Sequence, residues 1–281
     1  MEGFKVKNPE YLNVPMTYAG RLDPMASGVL VVLAGPEIKN KEKYLALDKE
    51  YEFSILFGFS TDTYDILGKV IDASLGSVSF ASVRPPARAH SGFGNFPASR
   101  DHAKLPAGYA TDTLPRFEFI AEMIKKNLKY FRGKLKQKYP IYSSKMVKGK
   151  PLFSYARSGE SVEIPERDIL VKRLTLGKIK KIKGDKLFLN IEKRIGLVSG
   201  SARNAAHSAA GGDFRQKEIL KIWEEKLLGK NKSQVFYIAD FVVKCTSGTY
   251  VRGLANSLGE KIKVPALAFS IKRTKVGKFS I

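Results

Sequence analysis

The segment Tyr51-Glu52-Phe53-Ser54-Ile55-Leu56-Phe57 constrains the fold more than any other. Its apolar residues alternate, so that Tyr51, Phe53, Ile55 and Phe57 share one side of an extended chain. A strand of this kind is stable only within a sheet whose apolar face is covered. Asp65 to Gly68 reads as a turn into a second strand, Lys69 to Asp72. Lys186 to Ile191 reads as a third strand and Ile238 to Lys244 as a fourth; Val29 to Ala34 is an apolar run of strand length. Helical spacing is rarer. Phe117 to Leu128 carries Ile120, Met123, Ile124 and Leu128, and Lys217 to Leu228 carries Ile219, Leu220, Ile222, Trp223 and Leu227. Ser247-Gly248-Thr249 breaks a strand, and Thr249 is placed to N-cap a helix holding Leu254, Leu258 and Ile262. Strands with scattered helices, mostly without strict βαβ alternation, predict an α+β fold around a mixed or antiparallel sheet.

Two stretches stand apart, residues 73–115 and 197–215. They are rich in Ala, Ser, Gly and Pro, and their basic residues are Arg84, Arg88, Arg100, Arg203 and Arg215 with a single lysine, Lys104. Neither shows a regular period, so both read as flexible insertions within one domain spanning residues 1–281. A binding arm with Arg84, Arg88 and Arg100 on phosphates is the alternative. All three histidines, His90, His102 and His207, lie in these stretches. A general base needs a rigid mount, which argues against histidine catalysis.

The chain carries 49 Lys+Arg against 27 Asp+Glu, a formal charge of +22. Such an excess opposes compaction and self-association unless a polyanion is bound, and nucleic acid is the usual one; a lysine-rich solvated surface is the plainer explanation. The single cysteine, Cys245, excludes an intramolecular disulfide framework and a multi-cysteine zinc site. No run approaches the roughly 18 apolar residues of a membrane span. Met1 to Lys7 lacks a secretory apolar core. A soluble, cytoplasmic, monomeric protein is expected.

One segment could carry chemistry: Gly20-Arg21-Leu22-Asp23-Pro24-Met25-Ala26-Ser27-Gly28-Val29-Leu30. Asp-Pro favours an irregular turn, and the following strand would aim one carboxylate from its end. The residues alone also fit an ordinary turn before a strand.

This segment resembles the catalytic loop of pseudouridine synthases, and most closely that of the TruB family, which modifies uridine in the T-loop of tRNA. Further segments match in the family's order. Lys49-Glu50-Tyr51 is followed by Thr61-Asp62-Thr63-Tyr64-Asp65-Ile66-Leu67-Gly68, then by Phe131-Arg132-Gly133 with Gln137, Pro140, Tyr142-Ser143-Ser144-Lys145, Gly149, Leu152 and Tyr155-Ala156-Arg157. Ser247-Gly248-Thr249-Tyr250-Val251-Arg252, Leu258-Gly259 and Ile271-Lys272-Arg273-Thr274 complete the set.

The resemblance implies a pseudouridine synthase-like fold and conversion of uridine to pseudouridine in tRNA, at the T-loop uridine conventionally numbered 55. It implies no metal and no cofactor. Asp23 takes the place of the nucleophile, which attacks C1′ of the sugar or C6 of the base; a carboxylate is nucleophilic at neutral pH without an activating base. Arg252 matches the arginine that pairs with that aspartate, and an opposite charge nearby favours the ionised carboxylate. Tyr51 matches the tyrosine that stacks on the base and assists removal of the C5 proton; Ile271 matches the apolar group on its other face, and Tyr250 lies beside the same pocket. By residue type alone, Tyr51 and Tyr250 fit core packing equally well, and Arg252 a helix surface.

The target uridine is stacked, so it must be everted at a cost of a few kcal/mol. Lys138, Lys145, Lys148, Lys150 and Arg157, interleaved with Tyr139, Tyr142, Phe153 and Tyr155, suit phosphate contact and base stacking. In the family this is a mobile RNA-contacting segment; a solvated surface is the alternative. Binding to the T-arm should weaken steeply with salt. The chain departs from the family in three ways: an early start relative to the loop, Tyr18 where members often carry histidine, and the two odd stretches. No C-terminal PUA domain is expected. Two other functions remain open, a ribosomal RNA synthase and a catalytically inactive RNA-binding or RNA-refolding protein.

Overall fold

A computed structural model describes residues 7–73, 117–202 and 215–281. In chain order the strands are β1 (Met16–Ala19), β2 (Ala26–Gly28), β3 (Val31–Ala34), β4 (Lys49–Phe57), β5 (Phe59–Thr61), β6 (Val70–Ala73), β7 (Gly133–Lys138), β8 (Met146–Val147), β9 (Lys150–Pro151), β10 (Glu166–Lys183), β11 (Val235–Cys245), β12 (Ala266–Val276) and β13 (Phe279–Ser280). The α-helices are α1 (Lys41–Ala46), α2 (Phe117–Asn127), α3 (Leu152–Ser158), α4 (Gly184–Ala202), α5 (Gln216–Leu227) and α6 (Val251–Ile262).

The seven-stranded sheet runs β13-β12-β4-β11-β10-β7, with β2 also joined to β12. β2 pairs parallel with β12, and the neighbours along the main path are antiparallel, so the sheet is mixed and the fold α+β, as expected. β4 lies at its centre because its apolar face finds apolar partners on both sides. Phe53 stands opposite Phe241 and Ile271, with the Phe53 and Phe241 rings stacked at 5.3 Å. Phe53, Ile55, Leu56 and Phe57 are all buried.

Helices close the sheet. α6 packs on β12 and is buried on nearly every side, from Val251 through Gly259 and at Ile262. A helix buried all round is ordinarily apolar all round; here it brings Arg252 into the interior. α5 presents Ile219, Trp223 and Leu227 to the core, and Trp223 meets Phe59 edge-on at 5.0 Å while its indole N–H donates to Ile66 O at 3.2 Å. β1 and β3 form a separate two-stranded antiparallel sheet whose Ala19, Val31 and Leu33 pack on Val276.

Three expectations are corrected. Lys186 to Ile191 is not a strand but part of α4. Leu187, Leu189 and Ile191 alternate, but the residues that bury are Leu187, Ile191 and Ile195, four apart, while Leu189 is exposed. The 197–215 stretch begins in this helix, which continues to Ala202. Thr249 does not cap α6. Tyr250 occupies the N-cap without a side-chain bond, and the Thr249 hydroxyl donates back to Thr246 O at 2.9 Å, which closes the turn instead. The rest of the two odd stretches lies outside the described residues apart from Ala73 and Arg215, as do the three histidines and Arg84, Arg88 and Arg100. Among the described residues no helix is long and apolar enough to cross a membrane.

Candidate active site

The Asp23 loop is fixed by the far end of the chain. Ala26, Ser27 and Gly28 pair with Ile271, Lys272 and Arg273, and Ala26 N–H donates to Asp23 O at 2.8 Å. Arg273 is 2% exposed and reaches back across the loop. Its Nε donates to Val29 O at 2.7 Å, its Nη2 to Gly20 O at 3.0 Å and its Nη1 to Arg21 O at 3.5 Å. One guanidinium therefore holds the main chain on both sides of Asp23. Gly28 has φ +107, and a Cβ there would lie 2.1 Å from Arg273 O, so only glycine lets the two backbones meet.

Arg252 faces the carboxylate from the first turn of α6. Its Nε donates to Asp23 Oδ2 at 3.1 Å and its Nη2 to Asp23 Oδ1 at 3.4 Å. Nη1 donates to Thr63 O and Nη2 to Tyr142 O, each at 2.8 Å. The guanidinium is 3% exposed and the Asp23 side chain 23%, so a buried cation lies beneath an acid that still meets solvent. Burial alone would lower the Arg252 guanidinium, but Asp23 and Asp65 hold it above its ordinary range.

Sequence reasoning did not single out Asp65. Its carboxylate takes Thr63 Oγ1–H at 2.7 Å and Leu67 N–H at 3.0 Å inside the tight turn after β5. Burial lifts it to about 6, against the pull of Arg252 and the Thr63 hydrogen bond. Two acids thus bear on one guanidinium. Thr63 and Asp65 stand two apart in the Thr61–Gly68 motif, and that spacing was the available signal; it reads equally well as turn chemistry.

Tyr51 and Ile271 complete the setting. Tyr51 stands opposite Arg273, and Ile271 opposite Phe53, which puts all four on one face of the sheet. The Tyr51 phenol is pushed up to about 12 by burial, with Asp23 close enough to raise it further and an Arg273 hydrogen bond opposing. Tyr250 sits at the helix start, its main-chain N–H and C=O clasped by Gln137 at 2.9 Å each. Its ring lies 5.7 Å from the Arg252 guanidinium and edge-on to Tyr139.

The structure thus brings Asp23, Arg252, Tyr51, Ile271 and Tyr250 together. Lys145, Lys148 and Arg157 are exposed, the first just before β8, the second in the β8–β9 turn and the third on α3. Lys148 and Gly149 both have positive φ, which a two-residue hairpin turn of this hand requires. The Tyr155 hydroxyl donates to Val147 O at 3.0 Å and ties hairpin to helix. Lys145 lies over Tyr139, Lys150 over Tyr155 and Arg157 over Phe153, at 5.1 to 5.8 Å. The segment meets the buried pair through the Tyr142 carbonyl.

Similarity to known proteins was found at two levels. The family model described as TruB family pseudouridylate synthase (N terminal domain) matches residues 13–92 and 104–197. The tRNA pseudouridine synthase B of Caldanaerobacter subterraneus subsp. tengcongensis is 30% identical over 264 residues, covering 94% of this chain and 60% of the relative. The tRNA pseudouridine synthase B of Chlamydia pneumoniae is 26% identical over 265 residues, covering 94% of this chain and 72% of the relative. The chain spans about 60% of the length of the first of these. A chain of a Cbf5-Nop10-Gar1 crystal structure aligns with a TM-score of 0.45 at 15% identity, over 99% of this chain and 46% of that one. On the family match, which takes in most of the chain and includes the Asp23 loop, this protein belongs to the TruB family of pseudouridylate synthases.

Proposed function

We propose that the chain isomerises uridine to pseudouridine in tRNA, at the T-loop uridine, without a cofactor or metal. The observation that carries this reading is the forked pair of Arg252 on Asp23, formed between residues 229 positions apart beside Tyr51 and Ile271. The relatives' names support the same reaction class.

Asp23 is the nucleophile. Its carboxylate adds to C1′ or to C6 of the base, and the bond between C1′ and N1 breaks. The base turns, C5 bonds to C1′, C5 loses its proton, N1 gains one, and the carboxylate is released. Arg252 keeps the acid aligned throughout. The Tyr51 phenol, at about 12, carries its proton at neutral pH, so its ring holds one face of the base while Ile271 holds the other. Tyr250 walls the same space. Lys145, Lys148 and Arg157 contact phosphates of the T-arm, which is where a charge of +22 contributes most. The enzyme works as a cytoplasmic monomer on the tRNA pool.

The test is tritium release from C5-labelled uridine in unmodified tRNA transcript. Wild type should release tritium, and Asp23→Asn should release none while still retaining the RNA. Turnover in Asp23→Asn, or none in wild type, overturns the reading. Release from ribosomal RNA fragments but not from an isolated T-arm stem-loop would move the substrate.

A further inference from the structure

The two carbonyls that orient Arg252 belong to separate segments. Thr63 lies in the turn after β5, Tyr142 between β7 and β8. One acid joins them. Asp62, the residue before Thr63, accepts Lys69 N–H on Oδ1 at 2.8 Å, and the Tyr142 phenol, raised chiefly by burial, is raised further by the same carboxylate. Arg215 covers both. Its Nη1 meets Asp62 Oδ2 at 2.5 Å, and its guanidinium lies 4.8 Å from the centre of the Tyr142 ring. The pair is largely withdrawn from solvent, at 13% exposure for Arg215 and 22% for Asp62. Solvent therefore screens it less than an exposed pair. The Arg215 backbone is itself anchored, because its carbonyl accepts Ile219 N–H at 2.8 Å in the first turn of α5.

We propose that Arg215 is a positioning residue for the reaction: by clamping Asp62 to Tyr142 it fixes the two carbonyls that aim Arg252 at Asp23. The proposal rests on the reading of Asp23 as nucleophile. It gives a role in the chemistry to the last residue of a stretch that composition marks only as an insertion. Arg215 touches neither Asp23 nor Arg252 in the contacts above; it acts through the main chain of Thr63 and Tyr142. Small displacements matter here, since an error of about 1 Å at a reacting group can cost on the order of 100-fold in rate.

Single-turnover tritium release, RNA affinity and thermal midpoint would be measured for wild type, Arg215→Gln, Arg215→Lys, Tyr142→Phe and the double variant Arg215→Gln/Tyr142→Phe. Arg215→Gln should slow the chemical step by about 10–100-fold and leave RNA affinity within about twofold. Arg215→Lys, which keeps a cation on Asp62, should recover part of the rate. The double variant should lose less than the product of the single losses, because both changes open one clamp. An unchanged rate, a loss confined to affinity, or multiplicative losses would each overturn the proposal. If Arg215→Gln fails to fold, Tyr142→Phe removes only the hydroxyl that feels the Asp62 carboxylate and carries the same expectation. Should wild type prove inactive on tRNA, the function assigned to the chain fails, and the clamp is tested separately. Hydrogen exchange at Arg252 Nε–H must then quicken in Arg215→Gln; unchanged protection overturns the clamp.

Discussion

Gly28 presses against the backbone of Arg273 so closely that a Cβ on the glycine would sit 2.1 Å from the arginine's carbonyl oxygen. The strand carrying Ile271 and the loop carrying Asp23 are thereby locked at main-chain distance. Gly28→Ala adds an unfavourable positive φ, worth about 1–2 kcal/mol, and forces the strands apart. The variant should melt earlier and release tritium about 100-fold more slowly, with RNA retention little changed. Equal activity would show that the loop tolerates a wider seam.

Arg252 makes four donations in one plane, two to Asp23 and one each to Thr63 O and Tyr142 O. A lysine keeps the charge but cannot fork. Arg252→Lys should therefore lose at least about 100-fold in turnover. It should also lose about 2–4 kcal/mol of stability, read by denaturant titration, because two buried carbonyls lose their donors. Wild-type turnover in this variant would show that charge alone suffices.

Asp65 titrates at about 6 in the fold against 3.8 ordinarily, chiefly through burial. The folded state thus prefers its protonated form. The stability this contributes is complete below pH 4 and is lost as pH rises through 6. The difference in melting temperature between wild type and Asp65→Asn should fall across that interval. A flat difference between pH 4 and 6 would show that Arg252 keeps Asp65 ionised throughout.

Lys49 runs the other way. It is 5% exposed, donates to Leu45 O and Leu47 O at 2.6 Å, and is held down to about 8 by burial and by nearby Arg273. The fold prefers the neutral amine. Its stability is therefore present above pH 10.5 and lost as pH falls through 8. Relative to Lys49→Met, wild type should gain on the order of 2–3 kcal/mol between pH 8 and 10.5. Denaturant titrations at both ends measure it.

Much of this molecule is legible in its residues. β4 was fixed by strict alternation, and α2, α5 and α6 by apolar residues three and four apart. Those signals are local and follow directly from side-chain burial. α4 is not legible locally because Leu187, Leu189 and Ile191 satisfy two periods at once, and only packing decides which residues turn inward. The site was less legible. Asp23, Arg252, Tyr51 and Ile271 lie near one another, but only a family pattern named them. Asp65 looked like a turn residue, and nothing local announces that Arg273 will hold Gly20, Arg21 and Val29, since those bonds span 244 to 253 positions. Long-range polar contacts leave no period to count.

The parallel seam between β2 and β12 also sets when the centre can exist. The acid leaves the ribosome 229 residues ahead of its guanidinium partner. Until β12 is made, the nascent polypeptide carries the Asp23 carboxylate with no strand to aim it. The geometry that pairs Asp23 with Arg252 therefore cannot be held in place before β12 is made.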